Sequence, residues 1–223
     1  MIMKSPRYVS ASVLVLAVVL SGASLPAAGV SISGSAPTTG ILASNTPQEP
    51  PATIGLKNDG TADQRQGLTF TVSKAVKLDK IVLPYAYAEK AVANAGVTIS
   101  VILVDDAAPS FSGTIGGATV LQTDHFTMPA TVPAKGYFAF DLTDIKLPAS
   151  KKAYGFIIRF DETKSYRLLA FVRGNNDVGT KGAVTYNSAD NANVMFRSDD
   201  GGGNYYNLGS SNLQQFYLLG SPL

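Results

Sequence analysis

Val97-Thr98-Ile99-Ser100-Val101-Ile102-Leu103-Val104 is the stretch that decides the fold of this chain. Apolar and polar residues alternate over its first half, and its second half is continuously apolar. A second stretch, Tyr154-Gly155-Phe156-Ile157-Ile158-Arg159-Phe160, changes in the same way. Alternation with a period of two is typical of a β-strand, and a strand that turns continuously apolar is covered on both faces. We therefore expect these two segments to be central strands.

Short segments of similar composition recur along the chain, with turn residues between them. No segment has a convincing helical period, and residues 87–94, the one short candidate, are interpreted as a loop between strands. The fold is therefore predicted to be all-β, a two-sheet antiparallel β-sandwich (jelly roll) of about ten strands. The predicted strands are residues 67–72, 76–83, 97–104, 119–126, 137–142, 154–160, 167–173, 182–186, 193–197 and 213–219.

Residues 1–28 have the pattern of a secretory signal peptide. Lys4 and Arg7 precede an apolar run over residues 9–20, and small residues follow it. The run is shorter than the roughly 20 residues of a membrane-spanning helix, so we favour a cleaved signal over a retained anchor. Ala23 stands where a lipoprotein signal needs cysteine, which excludes lipidation. The mature protein is expected to be secreted or periplasmic, without membrane association after cleavage.

The mature chain is expected to be a tether followed by one domain. Residues 29–53 are rich in Ser, Thr, Ala, Gly and Pro, which is typical of a flexible tether, and residues 54–223 are then the β-sandwich domain. Once Lys4 and Arg7 are removed, 16 of the 18 basic residues remain against 16 acidic ones. Such a neutral chain lacks the basic footprint of a nucleic-acid-binding protein. The absence of cysteine excludes disulfides, thiolate metal sites and cysteine nucleophiles.

A run of strand-like pieces carries a resemblance to a known family. The pieces are residues 66–72, 76–84, 97–103, 138–142, 147–149 and 154–158, the turn Asp200-Gly201-Gly202-Gly203 and the closing Phe216-Tyr217-Leu218-Leu219-Gly220. In this order they resemble the secreted bacterial jelly-roll modules known as choice-of-anchor or DUF4082-like domains. Those modules are similar to non-catalytic carbohydrate-binding sandwiches, so the resemblance implies binding without catalysis. The chain departs from them in having no tryptophan.

Catalytic candidates are few. The chain has three glutamates, and none looks placed to form the carboxylate pair of a glycosidase. The single histidine, His125, would have to be the base of a jelly-roll polysaccharide lyase, together with a tyrosine and with Arg159 or Arg197. No lyase motif surrounds His125, and we interpret it as a solvent-facing strand residue. The chain is therefore predicted not to be an enzyme, with a lyase as the least favoured alternative.

Oxygen-bearing side chains are concentrated in four loops. They are Asp105-Asp106, Asp161-Glu162, Asn175-Asn176-Asp177 and Asp199-Asp200-Gly201-Gly202-Gly203-Asn204. Calcium takes six to eight oxygen ligands, so two or three converging loops would form a structural site. Turn chemistry explains the same residues, because Asp, Asn and Gly favour turns. We expect no cofactor, with a structural calcium ion on Asp199 and Asp200 as the alternative.

Tyrosines are the candidates for carbohydrate binding, because aromatic faces stack on the C–H patches of sugars. Tyr85 and Tyr87 are expected to lie on one side of an extended segment, and a second pair follows the glycine turn between two asparagines. The predicted ligand-binding residues are Tyr85, Tyr87, Asn204, Tyr205, Tyr206 and Asn207. Tyrosine is also an ordinary strand residue with a polar tip. We interpret Tyr137, Tyr154, Tyr186 and Tyr217 in that way.

The leading functional hypothesis is a secreted, non-catalytic β-sandwich module that binds carbohydrate or another extracellular surface. The alternative is a structural or adhesive component of the cell envelope without a small-ligand site. The expected partner is a polysaccharide or an envelope component. Nucleic acid is not expected as a partner.

Overall fold

The structure is a computed structural model that describes residues 29–104, 112–113, 118–162, 166–175, 183–185, 195–208 and 213–223. The predicted signal peptide and parts of the predicted strands 182–186 and 193–197 lie outside these residues. The described residues form fifteen strands. The strands are β1 (Val30–Ser33), β2 (Ile41–Ser44), β3 (Thr53–Asn58), β4 (Arg65–Val72), β5 (Val76–Ala88), β6 (Gly96–Val104), β7 (Ser112–Gly113), β8 (Thr119–Thr127), β9 (Gly136–Leu147), β10 (Ser150–Phe160), β11 (Arg167–Val172), β12 (Val184–Thr185), β13 (Met195–Ser198), β14 (Tyr205–Asn207) and β15 (Tyr217–Pro222).

The strands form two antiparallel sheets, which confirms the predicted two-sheet β-sandwich. The seven-stranded sheet has the order β1-β9-β5-β11-β3, with β15 also paired to β5, and β2 paired to β15. The eight-stranded sheet has the order β7-β14-β13-β4-β10-β6-β8, with β12 paired to β4. Residues 87–94 hold one 3-10 turn, Lys90–Val92, after the end of β5. None of the helical turns in the described residues is long and apolar enough to span a bilayer.

The two stretches that predicted central strands are β6 and β10, which pair with each other in the eight-stranded sheet. On the inner face, Val101 and Phe156 belong to the main core between the sheets. On the outer face, Ile102 packs in a second apolar cluster with Phe196 and Tyr205. The second half of β6 is continuously apolar because both of its faces are covered.

The main core is rich in phenylalanine, as expected for a protein without disulfides. Six phenylalanines on four strands are no more than 1% exposed, and each removes a large apolar area from water. Burying one such side chain contributes about 2–3 kcal/mol relative to leaving it exposed. The six are Phe70, Phe138, Phe140, Phe156, Phe160 and Phe171.

The prediction that residues 29–53 form a flexible tether is wrong for β1 and β2. Strand β1 pairs with β9 and strand β2 pairs with β15, and Leu42 and Ala43 of β2 are buried. Asn45, which is 3% exposed, accepts a hydrogen bond from the Phe216 N–H at 2.9 Å and donates one to the Gln214 carbonyl at 3.1 Å. Strands β1 and β2 have only four residues each, and the Ser, Thr and Pro content of residues 29–53 made the whole segment resemble a linker.

Residues 34–40, which we call the strap, cross the outer face of the seven-stranded sheet. They connect β1 to β2, which are separated by β9, β5 and β15. Four inter-strand spacings amount to about 19 Å, a distance that seven or eight nearly extended residues can cover. Ser35 and Pro37 of the strap line one cavity together with Val82 and Ala139 of the sheet. Val82 is consequently only 3% exposed, although it lies outside the main core.

Candidate functional site

The first predicted tyrosine pair is separated by a β-bulge. Tyr85 is paired with Phe171, whereas Tyr87 is paired with Ala170, so Ala86 is an additional residue in β5. Ala170 and Phe171 are consecutive in β11, so their side chains point to opposite faces of the sheet, and each paired tyrosine points to the same face as its partner. Tyr85 therefore faces the core and Tyr87 faces outward, which corrects the prediction that both lie on one side.

Tyr85 is a core residue. It is 1% exposed, and its ring stacks on Phe138 with the ring centroids 4.1 Å apart. Its hydroxyl donates a hydrogen bond to the Pro133 carbonyl at 3.1 Å. Burial raises the pKa of Tyr85, so the phenol stays neutral. The ring face is occupied by protein, and Tyr85 is thus not available for stacking on a sugar.

The second predicted tyrosine pair is also divided between interior and surface. Tyr205 is 6% exposed and packs edge-on against Phe196, and burial raises its pKa. Tyr206 is 40% exposed and donates a hydrogen bond to the Asp199 carboxylate. Burial alone would raise the pKa of Asp199, but the hydrogen bonds from Tyr206 and Arg197 outweigh it and lower that pKa. Because this pair lies on β14, the two predicted tyrosine pairs belong to different sheets.

The predicted calcium ligand Asp200 acts within its own turn. Its carboxylate accepts hydrogen bonds from the Asn204 N–H at 2.8 Å, the Ser198 hydroxyl at 2.7 Å and the Asn204 side-chain amide at 2.7 Å. These bonds lower the pKa of Asp200. The Asp200 carboxylate therefore caps this turn. Asn207, another of the predicted ligand-binding residues, is exposed on β14.

Metal ligands do not converge in the described part of the chain. No group of three or more His, Cys, Asp or Glu side chains comes together there. The acidic loop residues Asp105, Asp106 and Asp177 lie outside the described residues. Calcium binding by Asp199 and Asp200 stays a prediction.

His125 is largely exposed, as predicted, and contacts its own strand neighbours. Its Nδ1 lies 3.0 Å from the Thr98 hydroxyl and 3.5 Å from an Asp161 carboxylate oxygen. Thr98 is paired with both His125 and Arg159, so these three residues form a row on one face of the eight-stranded sheet. Arg197 binds elsewhere, to Asp199. Of the two arginines considered for a lyase, only Arg159 shares this row.

A groove of about 550 Å³ lies on the outer face of the seven-stranded sheet, at the side of the strap. Its floor is formed by β5, β9 and β15, and one wall is formed by the segment between β2 and β3. Apolar rings and a few polar groups line it together, as in sites that bind small ligands. It is lined by Gly34, Pro47, Pro51, Pro84, Tyr85, Ala86, Lys135, Gly136, Tyr137, Val172, Gln215 and Tyr217, and Tyr85 contributes only its 1% exposed edge.

Two tyrosines are central to this groove. The rings of Tyr137 and Tyr217 lie 6.3 Å apart between centroids with an angle of 60° between their planes, and both are partly exposed. The Gln215 side-chain amide donates a hydrogen bond to the Tyr217 hydroxyl oxygen at 3.0 Å and so orients it. Burial raises the pKa of Tyr217, and the nearby Tyr137 adds to the increase. The Tyr217 phenol is therefore a neutral hydrogen-bond donor at the groove.

A second cavity, of about 340 Å³, lies beneath the strap and shares Tyr137 with the groove. Strap residues 35–39 form its roof, and Val82, Ala139 and Leu219 are on its floor. Lys80 is at its side and forms an ion pair with Asp141 at 2.5 Å. The strap thus has ligand-sized space beside it and beneath it.

Sequence reasoning missed Tyr137 and Tyr217 because it treated them as ordinary strand residues. A usable signal exists in the alternation of β9. Phe138, Phe140 and Leu142 take the inner positions, which leaves Tyr137 on the outer face. The pattern does not reveal the strap and the β2–β3 segment that make this face concave.

Comparison with known proteins adds no assignment to this site. No protein-family model, curated protein or solved structure matches the chain. The resemblance to choice-of-anchor and DUF4082-like modules stays a prediction from the sequence.

Proposed function

We propose that this protein is a secreted, non-catalytic module that binds carbohydrate in the groove beside the strap. The observation that carries the proposal is the pair of partly exposed tyrosine rings, Tyr137 and Tyr217, in a concave surface. The proposal keeps the function predicted from the sequence and moves the site to different tyrosines. The groove also supports a binding role over a purely structural role in the cell envelope, because a structural role does not require a concave, tyrosine-lined surface.

The chemistry of the groove suits an uncharged sugar. Aromatic and proline rings offer flat apolar faces to the C–H groups of a pyranose, and tyrosine loses little conformational entropy when it does so. The Tyr217 hydroxyl, the Gln215 amide and the exposed Lys135 are polar groups at the same groove. Such groups bind sugar hydroxyls and fix the orientation of the ligand.

The test is a polysaccharide pull-down and a glycan array with the purified protein and single tyrosine variants. We expect Tyr137→Ala and Tyr217→Ala each to weaken binding about tenfold or more, which corresponds to about 1.4 kcal/mol. Tyr217→Phe keeps the stacking face and should retain most of the affinity. Thermal unfolding of each variant checks that the fold is intact.

Tyr206→Ala is the matched control, because Tyr206 is an exposed tyrosine on the other sheet. If the ligand binds in the groove, Tyr206→Ala should bind like the parent. If the ligand binds at residues 204–207, this variant should lose affinity. Folded Tyr137 and Tyr217 variants that bind like the parent would refute the groove. Absence of binding to any glycan would refute the carbohydrate function itself.

A further inference from the structure

Two further exposed tyrosines lie beyond the groove. Tyr87 is 46% exposed and Tyr166 is 54% exposed. Tyr87 is paired with Ala170, which lies two residues from Val172 on the same face of β11. Val172 and Ala86 line the groove. Two residues that line the groove are therefore close neighbours of Tyr87 in the sheet.

Tyr166 lies beside Tyr87 on this outer face. It directly precedes β11, where alternation places residues 166, 168, 170 and 172 on one side. Tyr87 donates a hydrogen bond to the Glu89 carboxylate. That bond raises the pKa of Tyr87, and the neighbouring Tyr166 adds to the increase. The two phenols and a carboxylate form a second patch that combines apolar faces with hydrogen-bonding groups.

The separation of this patch from the groove limits what can bind both. Tyr217, the other central tyrosine of the groove, is paired with Val82, and Tyr87 lies five residues further along β5. At the rise of an extended strand, five residues cover about 16 Å. One sugar ring cannot contact tyrosines at both places, whereas consecutive sugars of a linear chain can.

We propose that the groove and the Tyr87–Tyr166 patch form one elongated site, and that its ligand is an internal segment of a linear polysaccharide. This inference rests on the proposed function. The Ala86 bulge has a specific part in it, because regular alternation would turn Tyr87 inward together with Tyr85. Bulges are known to redirect side chains in this way at functional surfaces. A site of this length selects polymers over monosaccharides and disaccharides.

The experiment measures affinity against ligand length. The polysaccharide retained in the pull-down is partially hydrolysed and fractionated from dimer to hexamer, and each fraction is titrated into the protein in a calorimeter. We expect the affinity to rise about tenfold or more from dimer to hexamer, because the longer fractions reach the second patch. Equal affinity for all lengths would overturn the elongated site.

Variants assign the length dependence to residues. Tyr87→Ala and Tyr166→Ala should each weaken hexamer binding about tenfold and leave dimer binding unchanged. Tyr137→Ala should weaken both, and the control Tyr206→Ala should weaken neither. Tyr87→Phe, which keeps the ring, should bind the hexamer like the parent. All of these side chains are partly or largely exposed, so the variants are expected to fold, and thermal unfolding verifies it.

The outcomes separate this inference from the proposed function. If Tyr137→Ala abolishes binding while Tyr87→Ala leaves hexamer binding intact, the groove is correct and the elongated site is wrong. If Tyr87→Ala weakens dimer and hexamer equally, the patch belongs to a compact site and the polymer selectivity is wrong. If no polysaccharide is retained at all, the proposed function fails and the inference fails with it.

Discussion

The Asp200 carboxylate organises the turn between β13 and β14 through its hydrogen bonds to Ser198 and Asn204. Gly201 and Gly202 in this turn have positive φ, of 74° and 91°. Glycine adopts this backbone conformation without the steric cost that other residues incur. One carboxylate and two glycines thus determine the conformation of the turn that leads into β14.

Replacing Asp200 by asparagine is expected to make the protein less sensitive to acid. The hydrogen bonds lower the pKa of Asp200 below its ordinary value of 3.8. A lowered pKa in the folded state gives stability that is complete above the ordinary value and is lost as the pH falls towards the folded-state pKa. The parent should therefore lose more unfolding free energy than Asp200→Asn between about pH 5 and about pH 2.

Urea denaturation of both proteins across this pH range provides the measurement. At neutral pH the parent should be the more stable of the two, and the difference should shrink in acid. The other carboxylates are common to both proteins and cancel in the comparison. A constant difference at every pH would show that the Asp200 charge does not contribute to the turn.

At the same scale, Tyr85 and Tyr87 mark a limit of sequence reasoning. Alternation correctly identifies β5 as a strand, but it assigns residues 85 and 87 to one face. The additional Ala86 reverses that assignment, and an alanine carries no sequence signal for a bulge. The facing of a single side chain is decided by pairing with β11, which sequence alone does not specify.

At the scale of elements, β2 depends on an amide that follows it. Replacing Asn45 by alanine removes two buried hydrogen bonds, one from the Phe216 N–H and one to the Gln214 carbonyl. We expect Asn45→Ala to lower the free energy of unfolding by about 2 kcal/mol. Chemical denaturation measures this loss.

Asn175→Ala is the matched control for this prediction. Asn175 is also a hydrogen-bonding asparagine in a connecting segment, but its side-chain bonds to Thr46 and Pro47 are exposed to solvent. We expect its replacement to cost about 0.5 kcal/mol or less. If Asn45→Ala were equally mild, residues 29–53 would behave as the tether that their composition suggests.

Long strands were predictable because their pattern repeats several times, as in β4, β6, β9 and β10. Strands β1 and β2 have four residues each, and their partners β9 and β15 are far away in the sequence. A segment of only four residues, such as Val-Ser-Ile-Ser or Ile-Leu-Ala-Ser, shows too few alternations to be distinguished from a linker. Strands β1 and β2 are stabilised by pairing with β9 and β15, and the local sequence does not show this pairing.

At the scale of the whole molecule, the balance of charge predicts how ligand binding responds to salt. Residues 29–223 have 16 basic and 16 acidic residues, and the proposed ligand is an uncharged sugar held by tyrosine faces and hydrogen bonds, with Lys135 and Glu89 as the charged groups of the site. Stacking on uncharged sugars is little screened by ions. We expect the affinity for the retained polysaccharide to change less than about twofold between about 50 and 500 mM sodium chloride, as measured by calorimetry. A steep decrease with salt would instead indicate a polyanionic ligand.

The fold class of the whole molecule could be predicted because two sheets need only alternating segments and turns. The groove could not be predicted, because it is assembled from six separate parts of the chain. Gly34, Pro84, Tyr137 and Tyr217 meet only when the strap has crossed the sheet and β15 has paired with β5. No local sequence pattern indicates that these distant residues come together.

The pairing of β2 with β15 has a consequence for folding kinetics. Asn45 and Phe216 are hydrogen-bonded across 171 positions of sequence. The seven-stranded sheet is therefore incomplete until β15 is available, and proteins dominated by such distant pairings fold slowly. In a chain exported N-terminus first, as the predicted signal peptide requires, β2 crosses the membrane well before its partner β15. If that prediction holds, the seven-stranded sheet is completed only after β15 has been translocated.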